Sequence, residues 1–359
     1  MRPFYVVQTQ PGFEAIAAQE IEQRLERVAL RGTRRVGDKN GIVLFEYDGP
    51  PQKIFDLRTI EDLFVVVATI ADLPRTFQGL QVLERAVSRA ATVEAALNLA
   101  RQVKPGRKIG GKVRFRVITR QLEQAAYRRV DAQQAVERGF AARADYKWRL
   151  ENEGAIEFWL TLFPGEALLA LRLSDEQMRH RDYKLEHLPA SLRPSAAAAL
   201  VWLTQPVDDD VFLDPMCGAG TILIERATIA RYQLLLGGDI RSDAVAVALR
   251  NIGPRYKPIT VRQWDVRSLP IESESVSAAA VNLPFGKQIG TPGENRELYT
   301  AFLKEMVRVL RPAARLVALT SDQRAFMFAL QRGKKLKIRD SYNVQLLGQF
   351  AKIYVMQRL

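Results

Sequence analysis

The stretch Val211 to Ala227, VFLDPMCGAGTILIERA, constrains the fold of this chain more than any other. An apolar run of Val211, Phe212 and Leu213 meets Asp214 and Pro215, and a turn of small residues with Gly218 and Gly220 follows. Thr221 then opens an apolar, helix-favouring segment. The pattern predicts a buried strand, a tight turn and a helix N-terminus in succession. In an open parallel sheet, the crevice beyond a strand's carboxyl end is where a ligand lies. Glycines let backbone N–H groups approach that ligand, and an acid at the strand end can accept hydrogen bonds from an ammonium group. A purely structural turn reads the same over these residues alone, so the surrounding chain has to decide.

Residues 211–359 alternate strand and helix several times. Strands are expected at 211–215, 234–240, 259–264, 276–281, 314–319, 335–346 and 350–357, with helices at 220–232, 242–251, 295–310 and 321–332. Only a short turn around Gly348 and Gln349 separates the last two strands, so they should pair antiparallel. The expected fold class is α/β, a doubly wound and mostly parallel sheet. Three more features fall at its strand ends. Asp239 closes the second strand, where an acid can take both hydroxyls of a ribose. Asp265 follows Trp264 and could accept from an adenine amine beside an apolar wall. Asn282, Leu283, Pro284, Phe285 and Gly286 end the fourth strand.

That fourth feature carries chemistry. An exocyclic amine on a base is a weak nucleophile, because its lone pair is delocalised into the ring. A side-chain amide oxygen and the next backbone carbonyl can accept both of its hydrogens and favour a pyramidal nitrogen. Pro284 stiffens the turn, and Phe285 offers a face on which a base can stack. Catalysis of this kind rests on positioning and electrostatics, which suits a chain with only two histidines.

Residues 1–60 mix strands and helices as a small α+β unit, and residues 61–173 form a basic α+β module. A linker and leading helix at 174–210 connect them to the 211–359 domain. The net charge is +13, and residues 101–150 hold 14 Lys and Arg against 4 Asp and Glu. An excess concentrated in one folded segment points to nucleic acid as the partner. Arg114 and Arg116 alternate along the strand Val113 to Thr119 and share one face. No run of about 18 apolar residues suggests a membrane span, and the N-terminus lacks a signal-peptide pattern. A single cysteine, Cys217, excludes an internal disulfide, and no metal site is expected. A cytoplasmic protein is the expectation.

The C-terminal half resembles S-adenosylmethionine-dependent methyltransferases with a seven-strand Rossmann-like fold. DPMCGAGT and NLPFGK resemble the branch that modifies guanosine N2 in RNA. The whole chain resembles the THUMP-domain tRNA guanine-N2 methyltransferases, in which a ferredoxin-like region and a THUMP domain precede the catalytic domain. The strand FRVITR (Phe115 to Arg120) and the segment LPASLRPSAAAAL support that likeness. The resemblance implies cofactor contacts at Asp214, Gly218, Gly220, Asp239 and Asp265, with Pro215, Cys217, Thr221, Ile240 and Val266 beside them. It implies amine positioning by Asn282 and the Leu283 carbonyl, with Pro284 and Phe285 shaping the base pocket. The implied RNA contacts are Arg107, Lys108, Lys112, Arg114, Arg116 and Arg120. The implied substrate is guanosine 6 of the tRNA acceptor stem, with the tRNA 3′ end on the THUMP domain of a monomer. Two alternatives stay open: a ribosomal RNA guanine-N2 or DNA adenine-N6 methyltransferase, and an RNA-binding protein with a vestigial methyltransferase domain.

Overall fold

The computed structural model describes residues 2–104, 109–189, 191–285 and 292–359. The N-terminal part contains strands β1 (Phe4–Thr9), β2 (Ala29–Val36), β3 (Asn40–Glu46), β4 (Asp62–Ile70), β5 (Lys112–Gln121), β6 (Lys147–Leu150), β7 (Ile156–Phe163) and β8 (Glu166–Arg172). Helices α1 (Glu14–Arg24), α2 (Gln52–Phe55), α3 (Gln78–Ser88), α4 (Thr92–Val103) and α5 (Arg129–Ala141) lie between them. Among the described residues these strands form one eight-stranded sheet in the order β2-β3-β1-β4-β8-β7-β5-β6. Because β1 pairs with β4, the strands on either side of residue 60 share that sheet.

All of these helices cover one face. Ile21, Leu83, Leu97, Val136 and Phe140 pack there against Tyr5, Val65, Phe115 and Leu169. The opposite face carries a smaller cluster of strand residues, Val6, Ile42, Leu44, Phe64, Phe163 and Leu168. Strand β2 is absent from the sequence reading because it is an edge strand. Its LRGTRR stretch is largely solvent-facing and carries no apolar alternation. Helix α1 also ends three residues before the expected Arg27, which adopts a positive φ of 58°.

Two helices, α6 (Gln177–His180) and α7 (Pro194–Leu203), lead into the C-terminal part. There β9 (Val211–Asp214), β10 (Leu234–Asp239), β11 (Ile259–Gln263), β12 (Val276–Asn282), β13 (Leu310–Thr320), β14 (Leu336–Leu346) and β15 (Gln349–Arg358) form a seven-stranded sheet. Its order is β11-β10-β9-β12-β13-β15-β14, with β15 antiparallel to both neighbours, as the short turn at Gly348 requires. Helices α8 (Thr221–Ile229) and α9 (Ser242–Ile252) join α7 on one face through Ala197, Ile222, Leu223 and Ala248. Helices α10 (Pro292–Val309) and α11 (Gln323–Arg332) cover the other through Tyr299, Phe302, Met306 and Phe326. Helix α7 is buried almost all round, so its run of alanines and apolar residues shows no polar stripe.

The two sheets are joined by intimate packing. Phe13 and Ile16 enter the same cluster as α7 and β15. A Cβ at Gly12, where φ is +91°, would fall 2.3 Å from the carbonyl oxygen of Asn343, so only glycine fits that approach. Arg58 donates twice to the fully buried carboxylate of Glu225, at 3.0 and 3.0 Å, and Tyr183 donates to the same group. On the linker, Arg179 pairs with Asp62, while Arg193 and Ser195 reach Glu61 at 3.2 and 3.0 Å. Buried charges need such partners, and here the partners come from both halves of the chain.

Candidate active site

The ends of β10, β9 and β12 lie side by side. Gly237 pairs with Asp214, and Ala279 pairs with Leu213, so Asp239 and Asn282 each extend two residues (~7 Å) beyond the level of Asp214. The two flank β9 from either side and make the walls of a crevice whose floor is Asp214.

Asp214 is fully buried, and apart from the Met216 backbone N–H, which approaches without full hydrogen-bond geometry, its carboxylate oxygens have no partner among the described residues. Burial, reinforced by the nearby Asp239 charge, pushes its carboxyl well above the ordinary range. Natural proteins leave buried polar atoms unpaired only rarely, and a ligand site is one such place. The side-chain oxygen of Asn282 is buried and has no partner among the described residues.

The glycine turn is held from below. Pro215 accepts from the Trp264 indole at 2.9 Å, and the Cys217 N–H donates to Gly238 at 2.8 Å. The Gly218 N–H donates to Asp239 at 3.1 Å. Gly218 and Gly220 have φ of +49° and +78°, the left-handed region that glycine tolerates. A Cβ at Gly220 would sit 3.2 Å from Ala248, whereas one at Gly218 would meet nothing within 4 Å. Gly220 therefore serves packing against α9, and Gly218 borders open space. Thr221 is buried at the start of α8. The buried Cys217 thiol is pushed well up by burial, which suits packing and not nucleophilic chemistry.

Asp239 also accepts from the Arg241 N–H at 3.0 Å, which leaves further lone pairs on both of its oxygens. Ile240 beside it is exposed, and Val266 is buried. Asp265 is engaged by Arg267 at 2.6 to 3.0 Å, and that guanidinium holds its carboxyl below the usual range. Any ligand amine at Asp265 would share it with Arg267.

The turn after β12 has supports that the sequence did not reveal. Tyr299 of α10 is fully buried; its hydroxyl donates to the Pro284 carbonyl and lies 2.9 Å from the Thr320 hydroxyl. Burial pushes this phenol up to about 12, so it stays a donor at neutral pH. The Leu283 N–H bonds Leu319 at 2.9 Å, and Phe285 is half-buried against the α7 cluster. Gly286, also expected here, lies outside the described residues.

Asn251 is a second unforeseen residue. Its amide donates to the Ala219 carbonyl of the glycine turn at 3.0 Å and to Glu186 of the linker at 3.1 Å. Its oxygen accepts from the Glu186 N–H at 2.9 Å. One buried amide thus ties the linker to the turn. Asn251→Leu strands these partners at a cost of about 1–3 kcal/mol per unsatisfied group. Ligand affinity at the turn should fall on the order of tenfold, with turnover at saturation retained; calorimetry and steady-state kinetics check this split.

The residues expected to meet RNA are placed unevenly. Arg107 and Lys108 lie outside the described residues. Arg116 pairs with Glu157 across β5 and β7, and Arg120 stacks 4.3 Å over Trp159 while bonding Asn40 at 2.8 Å. Burial lowers the Arg120 guanidinium to about 10. Lys112 and Arg114 face solvent, with Arg114 paired to Glu151 at 3.2 Å. Among the described residues no group of acids, histidines and cysteine could hold a metal ion.

Residues 181–352 match the family described as UPF0020: RMKL-like, methyltransferase domain. A tRNA (guanine(6)-N(2))-methyltransferase THUMP3 from Mus musculus is 32% identical over 237 residues, 61% of this chain and 46% of that relative. The chain therefore spans about half the length of that curated relative. A tRNA (guanine(6)-N2)-methyltransferase from Thermus thermophilus is 25% identical over 289 residues, 79% of this chain and 82% of that relative. The crystal structure of TrmN from Thermus thermophilus superposes with a TM-score of 0.78 at 22% identity, covering 99% of this chain and 100% of that one. That likeness establishes the fold. Residues 181–352 of the chain are thus similar to the methyltransferase domain of the UPF0020, RMKL-like family.

Proposed function

We propose that the chain is an S-adenosylmethionine-dependent methyltransferase that forms N2-methylguanosine in tRNA, at guanosine 6 of the acceptor stem. The observation that carries this reading is the pair of buried acceptors, Asp214 and Asn282, at the ends of adjacent strands, with no side-chain partner among the described residues. The substrate is taken from the two relatives whose names specify guanine 6 of tRNA. The donor set fits the cofactor: an anionic floor for an ammonium, an open glycine turn, and an acid at the next strand end for ribose hydroxyls.

When bound, S-adenosylmethionine supplies an activated methyl group on a sulfonium. Asp214 would hold the cofactor's ammonium and Asp239 its ribose, while the Asp265 carboxylate, shared with Arg267, would accept from the adenine amine. Asn282 and the Leu283 carbonyl accept the two hydrogens of the guanine amine and aim its lone pair at the methyl. Pro284, fixed through Tyr299, keeps that pair of acceptors in place, and Phe285 stacks on the base. A stem guanosine must leave its stack to reach this crevice. Residues 61–173 act as the THUMP module and engage the tRNA 3′ end.

The test is methyl transfer from labelled S-adenosylmethionine to an unmodified tRNA transcript, with the product mapped by nuclease digestion and mass spectrometry. N2-methylguanosine at position 6 is the expected product. Label at another guanosine overturns the position alone. Cofactor binding without any label on tRNA overturns the substrate.

A further inference from the structure

The six cations of residues 323–339, namely Arg324, Arg332, Lys334, Lys335, Lys337 and Arg339, are accompanied by no acid in that stretch. No salt bridge neutralises any of them among the described residues; Arg339 bonds only the Gln357 amide oxygen, at 2.8 Å. The basic segment 101–150 behaves differently. There Arg101, Lys104, Arg114, Arg116, Arg128, Arg138 and Arg143 all pair with carboxylates. Seven of the 14 cations in that segment are therefore compensated, whereas none of the six in residues 323–339 has an acid partner among the described residues.

This charge borders a groove of about 440 Å³ between α11 and the β14–β15 edge, lined by Gln323, Arg324, Ser341, Lys352 and Tyr354. Lys352 lies 5.6 Å over the Tyr354 ring and has no acid partner among the described residues. The groove sits beside the catalytic turn. Asn282, Leu319 and Ile353 are level across β12, β13 and β15, so Lys352 follows two strand spacings, ~10 Å, from Asn282. Farther along α11, Phe328 is flanked by Arg296 at 5.1 Å and Arg332 at 4.6 Å. Helix α11 is 10 residues long, ~15 Å, which matches about four phosphates along one strand of a duplex.

We infer that this groove and the α11 face bind the sugar–phosphate backbone of the RNA strand that carries the target guanosine. Arg324 and Lys352 take the phosphates next to the displaced nucleotide, and Arg332 with Lys334 and Lys335 takes those farther along the stem. The inference rests on the RNA substrate proposed above. A base drawn into the crevice brings its flanking phosphates within about one nucleotide of Asn282, and the groove is an uncompensated cationic surface at that distance among the described residues.

The experiment compares wild type with Arg324→Ala/Lys352→Ala, using an unmodified tRNA transcript over a series of salt concentrations. The expected result is affinity weaker by about tenfold and a log K against log salt slope shallower by about 1.4 to 1.8. S-adenosylmethionine binding, measured by calorimetry, stays at the wild-type value and shows that the domain is folded. Unchanged RNA affinity and slope, in a variant that binds cofactor normally, overturn the inference. A wild-type protein that neither binds nor methylates the transcript overturns the proposed substrate instead, so the two failures are distinguishable.

Discussion

Asn282→Ala lowers turnover on the order of 10²–10³-fold while S-adenosylmethionine affinity stays within a few-fold of wild type. The magnitude is that of removing one preorganised polar group from the reacting centre. The side-chain oxygen of Asn282 makes no hydrogen bond among the described residues, so its loss strands no described donor. Fold and cofactor floor stay intact, and the loss falls on the chemical step. Single-turnover methyl transfer at saturating RNA and cofactor, with calorimetry of cofactor binding, separates the two effects. Retained single-turnover rates would remove Asn282 from the site. Tyr299→Phe should have a smaller effect of the same kind, because it frees the Pro284 carbonyl and leaves Asn282 in place.

Asp214→Asn has opposite effects on affinity and stability. It removes the charge proposed to meet the cofactor's ammonium, and losing one partner of a buried charge pair costs about 2–5 kcal/mol, so affinity should fall on the order of 10²-fold or more. In the unliganded protein the same change removes a buried carboxylate with no side-chain partner among the described residues. The folded-state pKa of Asp214 is raised, so the native state binds this proton more tightly than the unfolded chain. The contribution of Asp214 to stability therefore declines as pH rises from its unfolded value through its folded one, and the penalty is complete above that window. Unliganded Asp214→Asn should melt a few degrees above wild type at neutral pH, at about 2–4 °C per kcal/mol, with the difference closing as the pH is lowered. Thermal denaturation across pH, without cofactor, measures this. A variant that melts below wild type at neutral pH, or binds cofactor normally, would contradict the role given to Asp214.

Much of the catalytic half was legible in the residue order. Its central strands are buried on both faces and appear as continuous apolar runs, with helix-period segments between them. Asp214, Asp239, Asp265 and Asn282 stand where those runs stop, and a parallel sheet gathers such ends along one edge. The glycine turn was legible too, because positive φ at Gly218 and Gly220 restricts the residue type.

What pairing across the sheets decides was not legible. Arg116 and Glu157 are 41 positions apart, and only the parallel register of β5 with β7 brings them together. That register gives an arginine expected to meet phosphate a carboxylate partner within the chain, while its side chain stays 42% exposed. The same holds for Arg120 on Trp159, and for Asn251 and Tyr299, whose partners come from other elements. The edge strand β2 lacks the apolar alternation that would announce it.

The sequence by itself determined the α/β architecture of residues 211–359 and the places where its acids and its asparagine end strands, because burial and backbone conformation are local constraints that residue type must satisfy. The tertiary structure alone decided which cations remain uncompensated and which side chains brace the site. Charge neutralisation and hydrogen bonding depend on neighbours that are far apart along the chain and meet only when the sheets form.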